Sequence, residues 1–310
     1  MVTSALLSFT NCLNVNKTID LDNKLINEFI KHLDNSQTTK ATYYNCLMSF
    51  KKWLNGRELE EMAIIDYKNY LRVNYSVSTV NTHITAIKAF FRYLSKKGFI
   101  NYASDIKGLK TSKTHKKDSL TLEQAQRIIR SLKTDTLTQK RNNALIRLLL
   151  GTGLRECETV NINISDIRNI GNKTVLQIKG KGHADKDDFV ILSSGVINAI
   201  NDYLACRNAK SNEPLFTSTS NSNKGERITT RSVRKIVKGI LIENGIISDR
   251  ITTHSLRHTF VTLNLLNGAT LQEVQSMARH TSINTTLIYA HNIDKLKSDN
   301  EQKLDNLLNG

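Results

Sequence analysis

The sequence predicts a mainly helical, two-domain protein with one small β-hairpin, and three observations lead there. At 310 residues the chain exceeds what one compact core usually organises. Apolar residues recur at helical steps of three and four through most of its length. Two short β-rich runs, 174–179 and 188–192, flank a Gly-Lys-Gly turn and break that rhythm once. Hydrophobic residues at 39% and charged residues at 23% describe a globular chain, not a disordered one.

Residues 1–108 read as a helical domain. Tyr43, Leu47, Phe50 and Leu54 form one helical face, and Val80, Ile84, Ile87, Phe91 and Leu94 form another. The opposite faces carry Lys40, Lys51 and Lys52 in the first segment and Lys88 and Arg92 in the second, which suits either solvent or a polyanion. Trp53 and the adjacent Phe90 and Phe91 are expected in the core. Residues 109–118 read as a basic linker. The stretch 107–118 holds five lysines and one histidine, with Leu109 as its single apolar residue, so no core can be built from it. Such a strap suits phosphates, whose neutralisation releases counterions.

A second domain is expected over 119–310. Thr121 and Gln124 have capping-box spacing ahead of Ile128, Ile129 and Leu132. Residues 137–150 look like a buried helix stopped at Gly151 and Gly153. Beyond the hairpin, helices are expected at 196–207, 230–243, 254–266, 271–278 and 284–289. In the tail, 292–308, Ile293, Leu296, Leu304, Leu307 and Leu308 stand in a polar background and suit docking on the same domain or on a neighbour.

The formal net charge of +16 points to a nucleic acid as partner. The longest apolar run, 144–150, is interrupted by Arg147 and falls far short of the about 20 residues a membrane span needs. Residues 1–16 have neither a basic start nor a small-residue cleavage site, so no signal peptide is expected. Cys12, Cys46, Cys157 and Cys206 show no metal spacing and no disulfide frame, which suits a reducing cytoplasm. No Gly-Lys-Ser/Thr phosphate loop occurs, and no cofactor is expected.

Metal-free chemistry on a phosphodiester needs cations for the non-bridging oxygens, a nucleophile, and an acid for the departing oxygen. Arginine suits the first role because its planar fork meets two phosphate oxygens and stays charged. Arg155 follows two glycines in Gly151-Thr-Gly-Leu-Arg155, on a turn that can aim its head into a cleft. Lys181 lies in Lys179-Gly-Lys-Gly182 at the expected hairpin tip. His254 and Arg257 are three apart and share a helical face. His280 and Tyr289 fall close together in the run 278–289. Each motif alone is weak.

In this order the motifs resemble the tyrosine recombinase, or phage-integrase, family, and most closely its small Xer-like members. The likeness spans about 38–291: a Thr-Gly-Leu-Arg box with Glu158, a His-x-x-Arg-His-Thr-Phe box, and the nucleophile box 281–291. The resemblance implies a two-domain, C-shaped clamp. A helical, SAM-like core-binding domain would pair with a mixed, mainly helical catalytic domain. It implies that Tyr289 attacks the scissile phosphate, giving a 3′-phosphotyrosyl link. Arg155 and Arg257 would clamp the phosphate, and Lys181 would protonate the 5′ oxygen. His254 would accept the tyrosine proton, His280 would bond the phosphate and Glu158 would orient its neighbours. Neither metal nor ATP is implied. The resemblance implies a double-stranded DNA recombination site as partner, bridged by a homotetramer, with accessory or excision proteins as candidate further partners and no membrane.

Two departures stand out. Ala278-Arg279-His280 replaces the family's usual Leu-Gly-His, leaving Arg279 either on DNA or covering the surface. Gly180-Lys-Gly-His-Ala-Asp-Lys186 replaces its usual Gly-Lys-Gly-x-Lys-x-Arg, which leaves Lys186 as an alternative to Lys181 for the acid, with Lys179 less suited. His83, His115, His183, His258 and His291 are expected at the surface or in structural roles, with His258 packing within its helix. Cys157 is expected as a small buried residue. An integrase of a mobile element or a Xer-like resolvase is the leading reading. A type IB topoisomerase and a non-catalytic DNA-binding regulator are the alternatives, the last disfavoured because all six site residues are present.

Overall fold

The computed structural model describes residues 21–57, 59–100, 106–110, 118–180, 185–297 and 300–309. Lys181, His115, His183 and the segment 1–16 lie outside the described residues. The chain divides into two compact units, Met1–Lys113 and Thr114–Gly310.

The first unit is all helix: α1 (Asn23–His32), α2 (Gln37–Leu54), α3 (Glu61–Asn74) and α4 (Val77–Lys96). Asp22, Ser36 and Ser76 cap α1, α2 and α4, each side chain accepting a backbone N–H of the first turn. The expected faces of α2 and α4 form its core, with Leu47, Phe50, Ile84, Ile87 and Phe91 fully buried. Phe90 is buried beside Phe91, and Trp53 packs on Phe50 beneath the Arg57 guanidinium, 4.1 Å from its ring centroid. Periodicity alone did not reveal α3. Ile64, Tyr67 and Leu71 are buried on one side, but exposed Met62, Tyr70 and Val73 on the other blur the contrast. The start of the basic stretch is tied to this unit, since Asn81 both accepts from the Leu109 N–H at 2.7 Å and donates to its carbonyl at 2.9 Å.

The second unit opens with α5 (Leu122–Ser131), whose capping box of Thr121 and Gln124 forms as its spacing predicts. The buried helix α6 (Leu137–Thr152) runs through Gly151 and stops at Gly153 alone. Only Gly153 takes a left-handed φ, at +61°, so only it can terminate the helix. Next come α7 (Glu156–Val160) and a three-stranded antiparallel sheet of β1 (Ile167–Ile170), β2 (Lys173–Ile178) and β3 (Asp188–Ile191), ordered β1-β2-β3. The two expected strands pair as a hairpin, Leu176 opposite Val190. The third, β1, escaped the sequence reading because three of its four residues are exposed and it lacks alternation.

Helices α8 (Ser194–Leu204), α9 (Thr230–Glu243), α10 (Thr253–Leu266), α11 (Leu271–Ala278), α12 (Ile283–Lys297) and α13 (Asn300–Asn309) complete the unit. Helix α12 extends eight residues past Tyr289, so the tyrosine sits within the helix and not near its end. The core gathers around α6, whose Ala144, Leu145 and Leu148 are inaccessible to solvent. A smaller apolar cluster of Phe260, Val261, Val274, Ala278 and Tyr289 joins α10, α11 and α12. Among the described residues no helix is long and apolar enough to cross a membrane.

Gly153 tests how tightly the end of α6 is set. A Cβ there would lie 2.5 Å from Phe260 Cδ1, on a backbone at φ +61°. Gly153→Ala is expected to lose about 2–4 kcal/mol, combining left-handed strain with overpacking. Urea unfolding should show a lower midpoint at unchanged slope.

Candidate active site

Two turns and helix α10 bring the charged groups together. Where α6 ends, Gly153 lets the chain leave the helix and places Arg155 at the N-cap of α7. Glu158, at the third position of α7, turns back: Oε2 accepts the Arg155 backbone N–H at 2.8 Å and Oε1 accepts its Nη1 at 2.7 Å. Arg155 is therefore anchored while 28% of its side chain stays exposed; Glu158 shows only 2%. Burial works to raise the Glu158 pKa, but Arg279 and the Arg155 donors outweigh it and hold the carboxyl below its ordinary value.

Helix α10 supplies His254 and Arg257. Arg257 is buried, with Nη1 donating to the Gly153 carbonyl at 2.7 Å and Nη2 to the Ala278 carbonyl. It thus ties the end of α6 to the end of α11. Burial, and then the Arg155 and Arg279 cations, pull its pKa down to about 10.

The α11–α12 turn carries Arg279 and His280. Arg279 adopts φ +55° and ψ +49°, and the His280 N–H bonds the Gln275 carbonyl at 3.0 Å. That six-residue closure is a Schellman turn, and it is followed by the His280 ring, whose Nδ1 meets buried Thr286 Oγ1 at 2.9 Å. The Arg279 side chain folds inward, with Nη2 on Glu158 Oε2 at 2.7 Å and 8% exposure, so it does not cover the surface.

Tyr289 is buried on α12, and its hydroxyl shares a hydrogen bond with His258 Nδ1. Its ring lies parallel to that of His280, centroids 6.4 Å apart, while His258 meets His254 edge-on at 4.6 Å. The expectation that His258 only packs within its helix is therefore corrected: it holds the tyrosine hydroxyl. Its spacing of four from His254 sets both rings on one face of α10, and the packing of α12 against α10 brings Tyr289 to that face. Burial raises the Tyr289 pKa above the ordinary phenol value, with the Arg257 charge opposing. Cys157 also departs from expectation, being exposed and lining the cleft beside Arg155.

That cleft has a volume of about 450 Å³ and is lined by Arg155, Cys157, Arg234, Thr252, Thr253 and His254. Arg234 is engaged with Glu156 at 2.8 and 2.9 Å. Of the two lysine candidates, Lys186 is paired with Asp166, a largely buried carboxylate that also accepts the Asn163 N–H at 2.6 Å. Lys181 is outside the described residues. Among the described residues no group of three or more His, Cys, Asp or Glu could hold a metal ion. Arg155, Arg257 and Arg279 instead gather against Glu158 and, 3.6 Å from Arg279 Nε, Asp188. Three guanidiniums facing two carboxylates leave a surplus positive charge, which is the electrostatic requirement for holding a phosphate.

Residues 118–295 match the model of the Phage integrase family, and residues 21–99 match the Phage integrase N-terminal SAM-like domain. The tyrosine recombinase XerD of Oceanobacillus iheyensis is 31% identical over 272 residues, covering 83% of this chain and 88% of that protein. The tyrosine recombinase XerC of Thermodesulfovibrio yellowstonii is 29% identical over 284 residues, covering 86% and 91%. Among solved structures, the XerH site-specific recombinase bound to palindromic difH substrate shares the fold, with a TM-score of 0.69 at 21% identity, covering 92% of this chain and 91% of that one.

The raised phenol pKa has a spectroscopic consequence. Exposed tyrosines ionise near pH 10, and Tyr289 should stay protonated through that step. The ultraviolet titration of Tyr289→Phe is expected to match the wild-type step in amplitude. A smaller step in the variant would show that the phenol is not sequestered.

Proposed function

This chain belongs to the phage integrase family, and from that premise we propose how it works as a site-specific DNA recombinase. Tyr289 attacks the scissile phosphate, forming a 3′-phosphotyrosyl bond and breaking the bond to the 5′ oxygen. Arg155 and Arg257 hold the non-bridging oxygens while negative charge grows on them. His258, already on the tyrosine hydroxyl, takes its proton in place of His254, which meets it edge-on. His280 adds a hydrogen bond to the phosphate. Lys181 donates a proton to the departing 5′ oxygen; the pairing of Lys186 with Asp166 supports this choice. A 5′-hydroxyl of a second strand then attacks the phosphotyrosine and releases Tyr289, so the bond energy is conserved and neither ATP nor metal enters the cycle.

The surplus of positive charge around buried Glu158 is the observation that carries this reading. A neutral or metal-bound substrate would leave Arg155, Arg257 and Arg279 unbalanced, whereas a phosphodiester supplies the missing anion.

The two units, joined by the basic linker 109–118, are proposed to grip a duplex recombination site, and four protomers to bridge two sites. Leu304, Leu307 and Leu308 of α13 are 56%, 78% and 74% exposed, which supports donation of that helix to a neighbouring protomer. A reducing cytoplasm is the proposed location, and accessory or excision proteins are proposed as further partners.

On a nicked suicide substrate carrying the cognate site, we expect an SDS-resistant adduct on the 3′ end that forms in EDTA and is absent in Tyr289→Phe. A requirement for magnesium would defeat the mechanism, and relaxation of plasmids lacking paired sites would favour a topoisomerase. Lys181→Ala should slow cleavage by about 10²–10⁴-fold, the usual contribution of a general acid. A 5′-bridging sulfur, which leaves without a proton, should restore it; rescue of Lys186→Ala instead would reassign the acid. Removing residues 300–310 should abolish tetramers on DNA, and intact tetramers would refute helix donation.

A further inference from the structure

Arg279 occupies a position built for glycine. It closes α11 in the left-handed region, one of two non-glycine residues at positive φ among the described residues. A Cβ is disfavoured there, and glycine is the usual occupant of this turn. A long charged side chain kept at such a site implies a compensating interaction, and the structure supplies it. Arg279 is 8% exposed, and its Nη2 donates to Glu158 Oε2 at 2.7 Å. That same oxygen accepts the Arg155 backbone N–H at 2.8 Å, while Oε1 accepts the Arg155 guanidinium at 2.7 Å. The Arg279 Nε stands 3.6 Å from Asp188 Oδ2 on β3, and Nη1 bonds the Met277 carbonyl at 3.3 Å.

One guanidinium therefore touches three parts of the site. It meets the carboxylate that anchors Arg155, strand β3 through Asp188, and the turn that carries its neighbour His280. A DNA-contacting arginine would turn its head outward. Here the head is aimed at a buried anion that already has one cationic partner.

We propose that Arg279 is a positioning residue for strand cleavage: it holds Glu158 ionised and oriented, so that Glu158 can aim Arg155 at the phosphate. This rests on the reading of Arg155 as a phosphate ligand. The groups facing Glu158 are Arg155 from its own helix, Arg279 from the α11–α12 turn and Arg257 from α10, with Asp188 of β3 facing Arg279. With Arg279 removed, burial of Glu158 is opposed by fewer charges. Its pKa rises, and its protonation releases Arg155 at a higher pH than in the wild type.

The test uses the full-length protein on the suicide substrate, measuring single-turnover cleavage across pH 5–9 together with DNA affinity. Arg279→Gly relieves the backbone at this position, and Arg279→Asn, which also tolerates it, serves as a second variant. Both should cleave about tenfold or more slowly at pH 7 with affinity within about twofold, the pattern of a lost transition-state contribution. Their acid limb should move to higher pH. Arg279→Lys should recover most of the rate. In a Glu158→Gln background, Arg279→Gly should add less than about twofold, because the two residues act through one carboxylate. Wild-type cleavage by Arg279→Gly, an equal fall at every pH, or full additivity with Glu158→Gln would each overturn the proposal. A weaker affinity with a reduced salt slope would assign Arg279 to DNA instead. If the wild type forms no adduct at all, it is the assignment of Tyr289 and Arg155 that fails.

Discussion

Glu158 carries a negative charge with 2% of its side chain exposed, and it does so because a backbone N–H and two guanidiniums converge on it. A lone buried carboxylate costs several kcal/mol and would neutralise itself by binding a proton. With its partners present it becomes the fixed point of the cleft. Arg155 is oriented by it, the α11–α12 turn is drawn toward it through Arg279, and His280 follows that turn. The two segments are far apart in sequence, so this ionic node does what no single helix could.

The same node leaves the site under electrostatic tension. Burial, with the Arg155 and Arg279 cations adding to it, lowers the Arg257 pKa to about 10. Like charges held together without a counterion destabilise the folded state, and a bound phosphate relieves them. The stability forgone in the empty protein thus reappears as affinity for the charged group that the reaction handles. Tyr289 has the complementary arrangement, since burial keeps its phenol neutral with His258 already on its hydroxyl.

Much of the architecture was legible from pattern alone. Helices α9 and α11 have the residue limits that their apolar spacing predicts, and the capping box of α5 forms where Thr121 and Gln124 place it. Long-range pairing was less accessible. Strand β1 is stabilised by its ladder with β2 and not by a buried face of its own, so three exposed residues hid it. For the site, motif order nominated Arg155, Lys181, His254, Arg257, His280 and Tyr289 as candidates. The inward turn of Arg279 and the contact of His258 with Tyr289 depend on how α11 and α12 cross α10, which no local spacing encodes. Cys157 follows the same rule: a small apolar-looking residue between two charged ones is exposed because α7 lies along the cleft.

Arg257 holds the carbonyls of Gly153 and Ala278, joining the ends of α6 and α11. That double duty alters how descendants of this gene should decay. A copy released from selection for recombination could lose the Tyr289 hydroxyl and still keep the ring in the apolar cluster of α10, α11 and α12. Losing Arg257 would strand two buried carbonyls, at about 1–3 kcal/mol each, and selection for a soluble DNA-binding chain would still act against that. Persistence of the arginine in a relative is therefore a record of folding, whereas on the mechanism proposed above loss of the tyrosine would mark the end of strand exchange.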